Sequence, residues 1–163
     1  MKFSSIIIIT IALFLNCGDK GTSVSPPTVS DLVGKWIITQ NHVIMTTQIH
    51  RSDSLPDSTF QRETTITASG TDNYARFDSS MNFRIKTDIA TFGVYGPKSD
   101  SGTWSLSGSA LQLISVNGTD TTNVTAGVSG KNGTFVYYTT RIYPIISIRI
   151  TTTTQAIISA VKQ

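Results

Sequence analysis

The stretch Asp31-Leu-Val-Gly-Lys-Trp-Ile-Ile-Thr39 decides the fold, because a polar segment with two prolines ends before it and β-branched segments follow it. Trp36 contributes the largest apolar side chain in this half of the chain. Gly34 has no Cβ, so the backbone can twist there or contact a neighbour closely. We therefore expect the first strand of the core to begin here.

Downstream of Gly34, segments rich in Thr, Ile, Val, Phe and Tyr alternate with turn residues, and no window has the 3.6-residue period of a long amphipathic helix. The turn signals lie at residues 50–58, 69–73, 78–80, 95–100, 107–109, 117–118, 132–133 and 143–144. They divide the chain into eight or nine short antiparallel strands, one of which covers residues 89–94. Residues 155–162 are compatible with either a terminal helix or a last strand.

The first strand contains a change of parity. Trp36 and Ile38 share one face, whereas Val43 and Met45 share the other, so the alternation slips near residues 41–42. A slip of one residue would turn the strand inside out unless an extra residue is accommodated. The pattern therefore predicts a β-bulge or a bend at this point.

The clearest hairpin lies in the middle of the chain, where the turn at residues 107–109 joins two alternating segments. Trp104 and Leu106 point to one face of the first segment. Leu111 and Leu113 are expected to lie opposite them on the partner strand.

A sheet of eight or nine strands has to remove its edges. It can close into a barrel or fold over as a sandwich. The final segment is rich in Ile and Thr and would be prone to aggregation if its edge were open, which favours closure. A chain of 163 residues is of single-domain size and needs no metal or disulfide to fold. The predicted fold is all-β, a single antiparallel barrel over residues 31–163, with a β-sandwich as the alternative.

The N-terminal residues have the character of an export signal. Lys2 precedes the apolar run Ile6–Leu15, which is too short to span a bilayer comfortably. Cys17, the only cysteine of the chain, follows directly and cannot form an internal disulfide. Residues 1–16 are therefore predicted to be a signal peptide.

The sequence Leu13-Phe-Leu-Asn-Cys17 resembles the lipobox of bacterial lipoproteins, although Phe14 and Asn16 depart from the commonest pattern. The resemblance implies cleavage before Cys17, attachment of diacylglycerol and palmitate, and anchorage in the membrane of the cell envelope, with the outer membrane expected. The alternative is an ordinary signal or an uncleaved anchor. If the resemblance holds, residues 17–30 form a lipidated cysteine and a flexible tether, and Ser30-Asp31 at the end of the tether could cap a short helical turn.

Two other places resemble the bacterial lipocalin-like domains of the calycin class, namely Gly34-Lys-Trp36 and the hairpin Ser101–Leu113. The resemblance implies that Trp36 packs across the closed end of a barrel, with Arg149 or Arg141 over its ring. It makes Trp36, Trp104 and Arg149 the candidate barrel-floor or ligand-binding residues. The segment Thr71-Asp-Asn-Tyr74 departs from the second motif of that family, because it comes too early in the strand order.

Charge and reactive groups exclude several functions. The net charge is +3, or +2 once Lys2 is removed with the signal, and the basic residues are scattered, so no nucleic-acid surface is expected.

His42 and His50 are the only histidines. His50 with Asp53 lacks the ligand spacing of a known metal site. No nucleophile or phosphate-binding motif is present. We expect no cofactor, no metal and no enzymatic activity; an enzyme would need a pocket that brings His42 or His50 against an aspartate.

The leading hypothesis is therefore a lipid-anchored, non-catalytic lipoprotein of the cell envelope. Its lipocalin-like barrel would either bind a small hydrophobic ligand or serve as a periplasmic or surface accessory, and its acyl chains would bind the membrane. The alternative is a β-sandwich that acts as a surface interaction or adhesion module. Exposed aromatic or apolar side chains on a sealed fold would favour the alternative.

Overall fold

The computed structural model describes residues 25–51, 57–68, 70–88, 98–116, 121–145 and 148–163. These residues form one short helix and nine strands. Their bounds are α1 Val29–Leu32, β1 Gly34–Arg51, β2 Ser58–Thr67, β3 Tyr74–Phe77, β4 Asn82–Thr87, β5 Lys98–Ser107, β6 Ala110–Ser115, β7 Thr121–Ser129, β8 Asn132–Ile145 and β9 Ile148–Lys162.

The strands form one antiparallel sheet with the order β2-β1-β3-β4-β5-β6-β7-β8-β9, and β9 pairs back onto β1. Eight strands, β1 and β3 to β9, therefore close into a barrel, and β2 is a ninth strand beside β1. This confirms the predicted antiparallel barrel of eight or nine strands. The sandwich alternative does not form, because β1 and β9 pair along almost their whole length, from Trp36 with Lys162 to Arg51 with Ile148.

The first strand is unusually long and serves two parts of the sheet. Residues Gly34–Ile37 pair with β3, and residues Gln40–Ile49 pair with β2. The register against β9 shifts between Ile38 and Gln40. The predicted bulge is thus present, slightly earlier than residues 41–42. Because of this extra residue, positions 41, 43 and 45 return to the face of Trp36 and Ile38.

The core fills the closed part of the barrel with side chains from each of the eight barrel strands, β1 and β3 to β9. Trp36 packs edge-on against Phe135, with ring centroids 5.7 Å apart, and Phe77 packs edge-on against Trp104 at 5.5 Å. The buried apolar residues are Leu32, Trp36, Ile38, Ala75, Phe77, Phe83, Ile85, Trp104, Leu111, Leu113, Val124, Ala126, Phe135, Tyr137, Ala156, Ile158 and Ala160.

The β5–β6 hairpin has the predicted register. Trp104 lies opposite Leu113, and Leu106 lies opposite Leu111. At the start of this pairing, a Cβ on Gly102 would stand 1.9 Å from a backbone carbonyl oxygen of β6, so only glycine allows this close approach.

Two turn predictions were wrong. The β7–β8 hairpin turns at Gly130 and Lys131, with a φ of 59° at Gly130, and residues 132–133 already belong to β8. Residues 143–144 also lie within β8, where Pro144 pairs with Arg149 of β9. Proline is tolerated there because this half of β8 is an edge strand.

Other predictions at element boundaries had mixed outcomes. Residues 98–100 belong to β5 rather than to a loop, and residues 155–162 are a strand rather than a helix. The strand expected at 89–94, the turn at 117–118 and most of the turn at 50–58 lie outside the described residues.

The single helix of the described residues has a complete capping box. The Thr28 hydroxyl accepts from the Asp31 N–H at 3.4 Å, and the Asp31 carboxylate accepts from the Thr28 N–H at 2.8 Å. The cap is therefore Thr28 rather than Ser30-Asp31. Across the described ranges, no helix combines the length and the apolar character that crossing a bilayer requires.

Candidate functional site

Trp36 lies at the closed end of the barrel, where β1 begins, and its side chain is fully buried. The indole Nε1–H donates to the carbonyl oxygen of Leu32 at 2.8 Å. This hydrogen bond joins the last residue of α1 to the core, so the helix covers the end of the barrel at which the chain enters it.

The cation beside this indole is Lys162, the last residue of β9. Its Nζ lies 5.6 Å from the Trp36 ring centroid and donates to the carbonyl oxygens of Ser30 and Asp31 at 3.2 and 2.8 Å. Gly34 makes room for it, because its φ is 141° and a Cβ would stand 2.7 Å from the Lys162 Cε. The Gly-x-Trp spacing therefore has a physical reason in this chain.

The expected arginine does not occupy this position. Arg149 lies toward the far end of β9, exposed and opposite His50 and Pro144. Arg141 pairs with Thr152, well away from Trp36 along the same sheet. This corrects the expectation, because antiparallel closure brings the end of β9 against the start of β1.

Of the other sequence-predicted site residues, Trp104 is buried in the core and contacts Phe77. Its Nε1 is buried without a hydrogen-bond partner among the described residues. Cys17 lies outside the described residues. Trp36 and Trp104 thus belong to one packed core, and Arg149 does not join them.

Four strands continue beyond the closed barrel and form what we call the extension. It consists of residues 40–51 of β1, 58–67 of β2, 138–145 of β8 and 148–157 of β9. The strand order across it is β2-β1-β9-β8. Since α1 lies at the closed end, the extension projects from the opposite end of the molecule.

One face of the extension continues the inner surface of the barrel, and we call it the inner shelf. Three large side chains on it are exposed: Met45 to 41%, Phe60 to 60% and Tyr143 to 46%. The shelf measures about 14 by 20 Å from strand and residue spacings. Its side chains are Val43, Met45, Thr47, Ile49, Ser58, Phe60, Arg62, Thr64, Thr139, Arg141, Tyr143, Ile150, Thr152 and Thr154.

The register arranges these side chains in rows across the four strands. One row runs from Arg62 through Met45 to Thr154, and the next runs from Phe60 through Thr47 to Thr152. The hydroxyls of Thr47 and Thr152 lie 3.3 Å apart. The described part of the shelf contains no Asp or Glu. Its two charged side chains are Arg62 and Arg141, so the charge on the shelf is positive.

The histidines lie on the opposite, outer face. The His42 ring contacts Glu63, with 3.7 Å between Nε2 and Oε2, and its Nδ1 is 2.9 Å from the Thr65 hydroxyl. The His50 Nδ1 donates to the Asp57 carboxylate at 2.6 Å.

That hydrogen bond, with a second from the Arg51 N–H, holds the pKa of Asp57 below its usual range. Asp53 lies outside the described residues. Within the ranges the structure describes, no group of three or more His, Cys, Asp or Glu side chains could hold a metal ion.

The alternation of apolar residues indicated which residues of β1 lie on the face of the inner shelf. It did not indicate that the closed barrel ends before these residues. The length of β1 was the available signal, since 18 residues exceed the usual strand length of about 3–10. Comparison with protein-family models, with curated proteins and with solved structures finds no match for this chain. The closed antiparallel barrel and its extension therefore stand on the geometry of this chain alone.

Proposed function

We propose that this chain is a lipid-anchored, non-catalytic protein of the cell envelope whose lipocalin-like barrel carries a binding surface for a small apolar ligand on the inner shelf. The observation that carries this proposal is that Met45, Phe60 and Tyr143 are all exposed on one face of the extension. Exposed apolar side chains that share one face of a folded protein support a binding surface at that face.

The shelf is a better place for a ligand than the barrel interior. The core residues around Trp36, Trp104 and Phe135 are at most 6% exposed, so none of them borders an open cavity. A ligand in their midst would have to displace packed side chains. On the shelf, Phe60 and Met45 lie on neighbouring strands and already face solvent.

The positive charge of the inner shelf limits the classes of ligand that would bind there. The Arg62 side chain lies directly opposite Met45, and Arg141 belongs to the same face. A guanidinium group next to exposed apolar side chains favours a ligand with an apolar body and an anionic group. The ligand class we propose is therefore an anionic amphiphile of small size.

The test uses 1-anilinonaphthalene-8-sulfonate, an anionic aromatic probe, and the chain from residue 17 with Cys17→Ser. Tyr143→Thr removes an aromatic ring from the inner shelf, and Tyr138→Thr removes one of similar exposure, 58%, from the outer face of the same strand. We expect Tyr143→Thr and Phe60→Thr to weaken probe binding several-fold and Tyr138→Thr to leave it unchanged. Equal loss in both tyrosine variants, or no binding by the parent, would exclude the shelf.

Residues 1–24 lie outside the described residues. The proposed anchor therefore rests on the resemblance of the sequence ending at Cys17 to a lipobox. Two or more acyl chains at about 0.8 kcal/mol per buried methylene would hold the protein on a membrane. Radiolabelled palmitate should mark the parent in a bacterial host and should not mark Cys17→Ser. Labelling of neither protein would remove the anchor and leave the shelf proposal standing.

The non-catalytic assignment is supported by the surroundings of the ionisable groups. His42 and His50 contact the carboxylates of Glu63 and Asp57, and all four side chains lie at the solvated outer face or tip of the extension. Solvated side chains lack the water-excluded surroundings in which general acids and bases usually work.

A second candidate function, a surface interaction module, is favoured by the same exposed side chains, because exposed aromatic and apolar groups on a barrel with a packed interior are what this alternative predicts. A different observation favours it as well. The described part of β2 has a strand partner on one side only. The predicted sandwich is replaced by a barrel, but the interaction role does not depend on the sandwich.

A further inference from the structure

The outer edge of β2 has the properties of a strand-pairing surface. Within the described residues, β2 pairs with β1 and with no other strand. The Ala68 N–H donates to the Thr39 carbonyl oxygen at 3.0 Å, which fixes the alternation of this ladder. The N–H and C=O groups of the odd-numbered residues from Thr59 to Thr67 therefore point away from β1, toward the open edge.

This edge lacks the features that usually prevent pairing. β2 is ten residues long, contains no proline or lysine, and carries only two charges, on Arg62 and Glu63. Natural edge strands are commonly short, interrupted or strongly charged, because an open ladder binds other strands. Residues 59–65 are all exposed.

We propose that the edge of β2 binds the same edge of a second copy of this chain, antiparallel, with the two-fold axis at Gln61. In this register Gln61 lies opposite Gln61 of the second copy, and Thr59 lies opposite Glu63. These pairs join the groups that point outward, so the ladder gains six backbone hydrogen bonds. The proposal goes beyond the function proposed above and does not depend on it.

The charges of the strand select this register. With the axis at Gln61, each Arg62 lies opposite the Phe60 ring of the second copy, which is 60% exposed in the single chain. A guanidinium over an aromatic ring is a favourable cross-strand pair. An axis at Arg62 or Glu63 would place like charges directly opposite each other, and an axis at Phe60 would place Glu63 opposite Asp57.

The arrangement has a consequence for the inner shelf. A two-fold axis perpendicular to the sheet keeps the same face of both copies on the same side. The strand order would then run β8-β9-β1-β2 and continue through the β2 of the second copy in reverse. The two shelves become one surface, with the two Phe60 rings near its centre.

The experiment uses the chain from residue 17 with Cys17→Ser, which contains no thiol, and adds Gln61→Cys. Opposed Cα atoms in a hydrogen-bonded antiparallel pair lie about 5.5 Å apart, within the range for a disulfide. The control is Gln48→Cys, an exposed glutamine on the same outer face but on β1, away from the edge. We expect Gln61→Cys to form a covalent dimer about tenfold faster or more, because assembly raises the effective thiol concentration.

A second variant tests the edge without a thiol. Gln61→Pro removes an N–H that does not take part in pairing with β1, so the strand keeps its place in the sheet. In sedimentation across a dilution series, the parent should be a dimer that dissociates on dilution, and Gln61→Pro should be a monomer with an unchanged circular dichroism spectrum. A monomeric parent, a dimer that persists in Gln61→Pro, or equal crosslinking of the two cysteine variants would overturn the proposal. Capture of a different protein by the parent, with no self-association, would also overturn it.

Discussion

The Trp36 indole packs against Gly133 so closely that a Cβ at position 133 would stand 2.7 Å from the ring carbon Cζ3. The two residues lie on different strands and are almost a hundred positions apart in the chain. Gly133 pairs with Ala160 of β9, and β9 pairs with β1 beside the ring. Strands β1, β8 and β9 therefore meet around the Trp36 side chain. Gly133 lies where the indole ring leaves no room for a Cβ.

Gly133→Ala should destabilise the barrel. The added methyl group would overlap the Trp36 ring and the Phe135 ring, whose Cε2 would be 3.0 Å away. Overpacking of this kind costs about 1–3 kcal/mol of unfolding free energy. Gly127→Ala is the matched control on the paired strand, because its nearest neighbour would be 3.9 Å away. Urea denaturation should show a loss of unfolding free energy for Gly133→Ala but not for Gly127→Ala. Equal losses in the two variants would show that the contact with Trp36 is not the reason for glycine at position 133.

The two tryptophans should respond differently to the same substitution. Trp36 Nε1 donates to the Leu32 carbonyl, whereas Trp104 Nε1 is buried without a partner among the described residues. Trp36→Phe leaves a buried carbonyl oxygen unsatisfied, and Trp104→Phe removes a group that was unsatisfied already.

With a similar loss of volume in both variants, Trp36→Phe should cost about 1–3 kcal/mol more than Trp104→Phe. Chemical denaturation of the two purified variants checks this difference. Equal costs would mean that the indole hydrogen bond contributes nothing to stability.

Much of the fold followed from local patterns. Alternation of apolar residues predicted the β5–β6 hairpin, including Trp104 opposite Leu113, because both strands bury one face. The prediction of a turn at residues 132–133 was wrong because a contact distant in the sequence determines the glycine. An Asn-Gly pair suits a tight turn, but Gly133 serves the packing of Trp36, and the local sequence does not distinguish a turn glycine from a packing glycine.

The site was less accessible to sequence reasoning than the fold. Lys162 rather than Arg149 lies beside Trp36, because the register of barrel closure decides which residue of β9 reaches the end of β1. The pattern also assigned Met45 to a face without showing that no strand or helix of the described residues covers it, so that it is 41% exposed. Exposure is a property of the whole sheet, so it could not be read from one segment.

Gly34→Ala should be destabilising for two separable reasons. The φ of 141° lies in a region that essentially only glycine adopts, and a Cβ would clash with the Lys162 Cε at 2.7 Å. We expect a loss of about 1–3 kcal/mol from the backbone conformation, with a smaller addition from the clash because the end of the Lys162 side chain can shift. Gly108→Ala is the control, because its φ of 58° is a milder left-handed conformation and nothing lies within 4 Å.

Adding Lys162→Ala to Gly34→Ala separates the two causes. The double variant removes the clash and keeps the strained backbone, so it should recover part of the loss after correction for Lys162→Ala alone. Thermal unfolding of the parent and the three variants in this cycle measures the coupling. Strict additivity would show that Lys162 does not constrain position 34.

The pair of His50 and Asp57 gives the extension a stability that depends on pH. Hydrogen bonds from the His50 ring and then from the Arg51 N–H lower the pKa of Asp57 from its ordinary value of 3.8. A carboxyl group whose pKa is lower in the folded state stabilises that state above pH 3.8, and the contribution is lost as the pH falls through the lowered pKa.

Asp57→Asn should therefore lower the unfolding free energy relative to the parent at neutral pH, and the difference between the two proteins should shrink toward zero as the pH falls from 3.8 through the lowered pKa of Asp57. Thermal unfolding of both proteins over a pH series provides the measurement, and taking the difference cancels every other carboxyl group, including Asp31 in the capping box. A difference that stays constant down to the acid limit would mean that the Asp57 carboxylate is not held by these hydrogen bonds.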